Sequence, residues 1–460
     1  MAVVALALFG LSGCASFRSY NHEMSQTLDL AATGNIGSAI EQLEKRHREP
    51  DRDLLYYFEL GELQRLAGRL DQSQQSWMAA DLQVQAWEAT ARADPQKLLG
   101  GAASFLINEK LAPYTGHDYE KVMLSTRIAL NHLALSEWGN ARVAIRRAHE
   151  REAVIAELRA REQLETEEEA KKRGAKTSFK ELNGYPVRTI DNDEVNALKN
   201  SYQSAFSHYL AGFVYEALGE PSLAAAGYRQ AIELRPNEAL LEQGLEGLDA
   251  RAGATDDGLT DVLFVIESGA VPARASQQFN LPVPYNDQLL IVPVSFPVLR
   301  ERDSGYQPDF VRSGDTVLTP ALVTSIDAMA RRALQDAMPG IMLRGTIRSL
   351  SKAALQYNVN KQDETGLAGL AVLLGGLVTE SADERGWRAL PARIAVARAR
   401  LPEDTRSVEV DTPYGPQTIP VKLSGRYALV GLRLMQGRLY VIGAPADPAP
   451  ASTASTADPF

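Results

Sequence analysis

Along residues 205–238, AFSHYLAGFVYEALGEPSLAAAGYRQAIELRPNE, apolar and small residues return at intervals of three and four. That period predicts two amphipathic helices joined by a turn. Ala211 and Gly212 are small where the first helix must approach the second. Tyr215 lies one turn further along and fills the space between them, and Gly219 ends the first helix with the turn that glycine permits. Ala224, Tyr228 and Ala231 share one face of the second helix, and Pro236 stops it.

The same spacing recurs. Residues 20–53 carry Gly34, Ala39 and Leu43 at matching positions, and residues 54–87 follow without a gap with Leu60, Gly61, Gly68, Trp77 and Ala80. A weaker copy over 125–158 aligns Leu135, Gly139, Ala144 and Ala148. Residues 88–124 interrupt the series, with Pro113 and Gly116 breaking the helical pattern. A 34-residue unit with these small and aromatic positions resembles the tetratricopeptide repeat. The resemblance implies stacked helix pairs forming a curved solenoid whose concave surface docks a peptide or protein, or helices that only support the rest of the chain.

Beyond the third copy, residues 149–173 are dominated by charge, with Glu157/Arg161 and Glu168/Lys172 at helical spacing. This predicts a solvated helix extending from the third pair, or an arm that meets a partner. Residues 174–196, with the turn Asn183-Gly184, read as a loop.

The pattern changes at the turn-rich residues 253–258. Asp261–Glu267 and Gln288–Phe296 read as strands, the second kept to an edge or bulge by Pro293. A helix is expected from Thr319 as N-cap with Pro320 at its first position, and Pro339-Gly340 separates it from a second helix near 341–360. The uncharged run 366–378 is too short to span a bilayer and reads as a buried helix, or as a glycine-bearing face for a partner or second copy. Ile394, Val396 and Arg398 share one strand face, and Arg393, Arg398 and Arg400 read as a solvated basic stretch. Tyr427–Arg433 and Arg438–Ile442 form a hairpin. The expected fold class is therefore α+β: a tetratricopeptide-like helical domain over 14–252, a mixed α/β domain over 259–443, and a small-residue, proline-bearing tail over 444–460 without regular structure.

The net charge of −10 disfavours nucleic acid as a partner and gives no general attraction to anionic lipid. Membrane attachment would have to come from the N-terminal residues. Ala2–Leu11 is an apolar run of signal-peptide length, though no Lys or Arg precedes it, and Leu11-Ser12-Gly13-Cys14 resembles the lipobox of bacterial lipoproteins. The resemblance implies cleavage after residue 13, a lipid on Cys14 and, with Ala15 rather than Asp following, an outer-membrane position facing the periplasm.

Candidate chemistry is sparse. Cys14 is the single cysteine, which excludes internal disulfides and thiolate clusters. The six histidines, His22, His47, His117, His132, His149 and His208, lack zinc-ligand spacing, and His208 reads as a packing residue. The sequence contains no nucleophile elbow, phosphate loop or dinucleotide fingerprint. No catalytic residue, cofactor or metal is expected. A carboxylate pair acting on polysaccharide has no fixed spacing and stays open as an alternative.

Pro113-Tyr114-Thr115-Gly116 with Tyr119-Glu120, Ala205–Leu210, and Ala382–Trp387 running into Leu390-Pro391 resemble a family of bacterial lipoproteins with tetratricopeptide-like N-terminal halves. Its members are often encoded near lipoproteins that activate penicillin-binding proteins, which implies a partner in peptidoglycan synthesis. The functional expectation is a lipid-anchored envelope scaffold or adaptor for protein partners, or alternatively a structural subunit of an envelope assembly.

Overall fold

The computed structural model describes residues 20–49, 52–99, 113–253, 257–285, 288–300, 305–362 and 381–442. The expectations for Cys14, for 366–378 and for the tail fall outside them.

Four helical pairs come first. They are α1 (Tyr20–Ala32) with α2 (Ile36–Arg46), α3 (Leu54–Leu66) with α4 (Leu70–Ala93), α6 (Asp118–Ala134) with α7 (Trp138–Arg173), and α9 (Ala205–Ala217) with α10 (Pro221–Leu234). Short helices α5 (Pro95–Leu99), α8 (Asp193–Asn196), α11 (Ala239–Gln243) and α12 (Leu248–Gly253) connect or follow them. The second helix of each pair packs on the first helix of the next. Local chemistry sets the helix ends. Asp53 accepts from the Tyr56 N–H and Ser204 from the Ser207 N–H, and Pro221 opens α10 where no N–H is needed. α10 ends at Leu234, because Pro236 disfavours helical backbone at Arg235.

Within each pair the turn is made by one residue of positive φ: Gly34 (92°), Gly68 (72°), Ser136 (62°) and Gly219 (72°). Ser136 corrects the expected register of the third pair by three residues. Gly139 lies inside α7 and turns nothing, and Ala129, Ala141, Ile145 and Ala148 take the positions that pack the pair. The charged stretch 149–173 is the outer continuation of the same 36-residue helix, ending on Gly174 in left-handed conformation. The loop 174–196 contains two single-turn 3-10 segments as well as α8.

The strands are β1 (Leu259–Ser268), β2 (Arg274–Tyr285), β3 (Gln288–Leu299), β4 (Val311–Ser313), β5 (Thr316–Leu318), β6 (Ala321–Ser325), β7 (Arg393–Pro402), β8 (Ser407–Val410), β9 (Gln417–Pro420), β10 (Tyr427–Met435) and β11 (Arg438–Val441). They form a five-stranded sheet in the order β11-β10-β1-β7-β6, a β2-β3 hairpin and a small sheet β5-β4-β8-β9. In the large sheet β1 and β10 run parallel and the other neighbours antiparallel. The fold is α+β.

Two strand and helix expectations are corrected. Residues 321–325 continue the large sheet as β6, so Thr319 caps nothing. Helix α13 (Ile326–Gln362) starts later, with Ser325 Oγ accepting from the Ala328 N–H. α13 continues unbroken past Pro339, its apolar face packed on the β2-β3 hairpin through Leu334, Met338, Ile341 and Met342. That packing outweighs the local cost of proline. Residues 274–285 form a full strand, although their Gln-Gln-Phe-Asn pattern alternates too weakly to announce one.

The helices and the large sheet do not have separate cores. One buried cluster runs from Met24 and Leu28 in α1, through Leu63, Ile128, Leu210 and Phe213, to Leu263, Val265, Ile394, Val396 and Tyr440 in the sheet. Alternate residues of β1 (Val262, Phe264, Ile266) face a second cluster beneath the small sheet. Sandwiched in this way, β1 is apolar on both faces.

Candidate functional site

The residues that join the pairs occupy equivalent places in two of them. Trp77 presses on Gly61, where a Cβ would lie 2.3 Å from the indole, and Tyr228 presses on Gly212, where it would lie 2.5 Å from the ring. The indole N–H of Trp77 donates to the Phe58 carbonyl (3.3 Å). Ala80, Ala211, Ala224 and Ala231 are fully enclosed, and Leu60 and Tyr215 are buried.

The inner helices α3, α6 and α9 are buried on every side. In α3 only Tyr57 is not buried, in α6 only His132 and Ala134, and in α9 only Ala217. The outer helices cover one flank of them and the chain's own sheet covers the other. The face expected to dock a partner is therefore occupied.

Part of the occupant is an irregular segment, residues 381–391, between α13 and β7. Glu59 on α3 and Glu120 on α6 hold it by its backbone. Glu120 accepts from the Trp387 N–H (2.7 Å), and Glu59 from those of Arg388 (2.5 Å) and Ala389 (2.9 Å). The same carboxylates accept from three tyrosines, Tyr20 on Glu59 (2.5 Å) with Tyr114 (2.5 Å) and Tyr119 (3.2 Å) on Glu120. Trp387 stacks on Phe58. Burial raises both carboxyls, Glu59 to about 7, against the hydrogen bonds that favour their ionised forms. The stretches Tyr114–Glu120 and Ala382–Pro391, far apart in sequence, meet here.

Behind this clamp lies a buried ionic seam between helices and sheet. Arg127 bridges Glu62 of α3 and Glu267 of β1, and Arg65 reaches Glu267 at 3.1 Å. Arg433 of β10 donates to the Ala389 carbonyl (3.2 Å). Burial pushes the Glu267 carboxyl up, but the Arg127 and Arg65 guanidiniums overcome it and hold the group at about 2. Burial lowers Arg433 to about 10. Arg398, expected on a solvated face, points into the helices instead: it pairs with Asp261 (2.7 Å) and Glu216 (2.8 Å) and donates to the Tyr228 hydroxyl (2.9 Å). Arg400, two residues on, is exposed and pairs with Asp257. His208 is buried with its ring stacked on His149, centroids 4.8 Å apart, and 3.2 Å from Glu152.

No family model matches this chain, and no curated protein matches it. Among solved structures, a tetratricopeptide repeat protein from Parabacteroides merdae is similar at 16% identity and a TM-score of 0.14, over 50% of this chain and 98% of that one. A likeness at that score adds nothing to the geometry.

With the inner face filled, concave surfaces lie elsewhere among the described residues, and two of them stand out. One is a shallow groove of about 740 Å³ on the outer side, lined by Asp71, Gln74, Met78 and Leu82 of α4 and by Leu135 and Glu137 at the α6–α7 turn. Met78, Leu82 and Leu135 are among the few large apolar residues exposed on the described surface. The other is a cleft of about 550 Å³ between α1, the β10-β11 turn and the loops at 305–306 and 413–414. Sequence reasoning missed both, because it assigned binding to the concave face. The stripe Asp71, Gln74, Gln75, Met78, Leu82, an outward helical face carrying apolar residues, was the available signal. Among the described residues no group of three or more His, Cys, Asp or Glu is placed to hold a metal, and no helix is long and apolar enough to cross a membrane.

Proposed function

We propose that the chain is an adaptor of the bacterial envelope, with its helical pairs forming a tetratricopeptide-type array. Its inner face is committed to its own sheet, and it binds a protein partner through the outer groove between α4 and the α6–α7 turn. The observation that carries this reading is the exposure of Met78, Leu82 and Leu135 together along one groove that spans two successive pairs. Exposed apolar residues in a shared concavity mark interaction surfaces more often than scattered ones do. The lining places Asp71 and Glu137 beside them on a chain of net charge −10. The matching partner segment presents two or three apolar anchors at helical spacing, flanked by Lys or Arg.

Placement at the outer membrane, facing the periplasm, rests on the Leu11–Cys14 lipobox and on Ala15. Peptidoglycan synthesis as the setting rests on the family resemblance.

A photo-crosslinking residue at Ala79, activated in intact envelopes, tests the groove. The expected product is a discrete adduct on a partner segment with apolar anchors and basic flanks. It should disappear in a Met78→Asp/Leu82→Asp variant whose melting temperature is unchanged. An adduct that survives both substitutions, or none at all, overturns the docking surface. The anchor is tested separately. Cys14→Ser should abolish the acyl mass on the mature chain and its fractionation with membranes while leaving partner binding in solution intact.

A further inference from the structure

The cleft beside α1 is built differently from the outer groove. Its floor is apolar and buried, from Leu28, Leu434 and Met435, and its rim carries Tyr306, Pro413, Tyr414 and the Gln436-Gly437 turn. Among the described residues no charged side chain lines it. The Tyr306 hydroxyl donates to Asp411 (2.5 Å), which fixes that ring in place. Tyr414 is 80% exposed, yet its ring is seated: it lies against Gly437, where a Cβ would come within 2.5 Å of it. Gly437 has φ +86°, so both its conformation and its missing side chain are used.

Two positioned tyrosines and a proline over an apolar floor suit a slender, uncharged ligand whose flat apolar rings stack on theirs. A polyproline II strand is such a ligand: it carries proline rings along one edge and leaves its carbonyls free to accept from tyrosine and amide donors.

The sequence supplies one close by. The described chain ends with Ile442, whose N–H donates to the Gly431 carbonyl beside the strand that leads into the cleft. It continues as Gly443-Ala444-Pro445-Ala446-Asp447-Pro448-Ala449-Pro450. From Ile442 back to the Gly437 turn is about 17 Å of strand. Eight residues of polyproline II cover about 25 Å, and at three residues per turn Pro445 and Pro448 fall on one edge, about 9 Å apart, with Asp447 off that edge. We propose that the cleft receives residues 445–450 of the same chain. An outside ligand of the cleft then competes with an intramolecular one at high effective concentration.

Disulfide trapping in the full-length chain tests this. Cys14→Ser removes the single cysteine. In that background Gln436→Cys is paired with Ala446→Cys, or with Ser452→Cys as the control. Loop length alone favours the nearer pair by about twofold. The expected result is at least tenfold faster intramolecular oxidation of the 436/446 pair, falling to the control ratio when Tyr414→Ala is added. A ratio near twofold, or a fast ratio indifferent to Tyr414→Ala, overturns the proposal. So does a bond that forms between chains at a rate rising with concentration, which would make a second copy the occupant.

Discussion

Trp387 lies flat on Phe58, their ring centroids 4.3 Å apart and their planes 12° from parallel. Trp77 also packs against Trp387, with ring centroids 6.1 Å apart and planes 65° from parallel. One aromatic from an irregular segment thus sits inside the second helical pair, and the backbone amide of that same residue is held by Glu120. Trp387→Ala removes a fully buried indole at a place where α3 and α6 cannot both close in. The expected loss is about 3–5 kcal/mol, read by urea denaturation. Trp387→Phe keeps the stack and should lose less than half as much. A loss under about 1 kcal/mol for the alanine variant would show that segment 381–391 is not part of the core.

Glu59 gives the clamp a pH signature. Its folded-state value, raised by burial to about 7, lies above the ordinary 4.5. Between those values the folded chain binds more protons than the unfolded one, so this group makes stability fall as pH rises from about 4.5 to 7 and adds no slope above 7. The span corresponds to roughly 3 kcal/mol. Glu59→Gln removes that slope while keeping one acceptor for the amides of Arg388 and Ala389. Denaturation midpoints of both proteins across pH 4.5–8 decide it, and parallel curves would count against a buried carboxyl that protonates near neutrality.

Glu267 acts in the opposite sense. Arg127 and Arg65 hold it at about 2, below the ordinary 4.5. Its contribution is fully present above about pH 4.5 and is lost as pH falls through 2. Removing it leaves Arg65, Arg127 and Arg433 buried with Glu62 as the remaining carboxylate of the seam, so Glu267→Gln should cost about 3–5 kcal/mol. Replacing the whole set, Glu62, Arg65, Arg127, Glu267 and Arg433, together with apolar residues of similar size should recover much of that loss. If Glu267→Gln unfolds at the wild-type urea concentration, the seam does not join helices to sheet.

How far the sequence disclosed this arrangement depends on the range of the contact. Gly61/Trp77 and Gly212/Tyr228 lie 16 residues apart in each pair, and that spacing alone places a small residue beneath an aromatic one. The third pair misled because Ser136 takes the left-handed position that glycine marks elsewhere, which drew the register toward Gly139. Thr319-Pro320 carries a helix-start signal, but pairing with β7 makes the following residues a strand. Burial of Arg398 and the grip of Glu59 on Arg388 were invisible for a different reason. Their partners lie 137 to 329 residues away, and a charged residue in a strand reads as solvated until those partners are known. Two of the resemblance stretches, Tyr114–Glu120 and Ala382–Trp387, were legible as distinctive strings, and they meet at Glu120 as two parts of one packing site, whereas Ala205–Leu210 lies apart in α9.

Gly212 and Gly139 give the most direct test of the corrected register, because the same substitution should act with opposite signs. At Gly212 a methyl group would lie 2.5 Å from the Tyr228 ring, and Gly227 is packed against the Gly212 backbone on the same side. Tyr228 cannot retreat, since its hydroxyl is fixed between Glu216 (2.6 Å) and Arg398 (2.9 Å). Gly212→Ala should therefore cost about 1–3 kcal/mol by overpacking, despite the better helix propensity of alanine. At Gly139, within the first turn of α7, an added Cβ meets nothing within 4 Å. Gly139→Ala should gain a few tenths of a kcal/mol up to about 1 kcal/mol by restricting the unfolded chain. Thermal and urea denaturation of the two variants settles the sign. Destabilisation by Gly139→Ala comparable to that of Gly212→Ala would return Gly139 to the packed position of the third pair and displace Ala129 and Ser136 from the roles assigned to them.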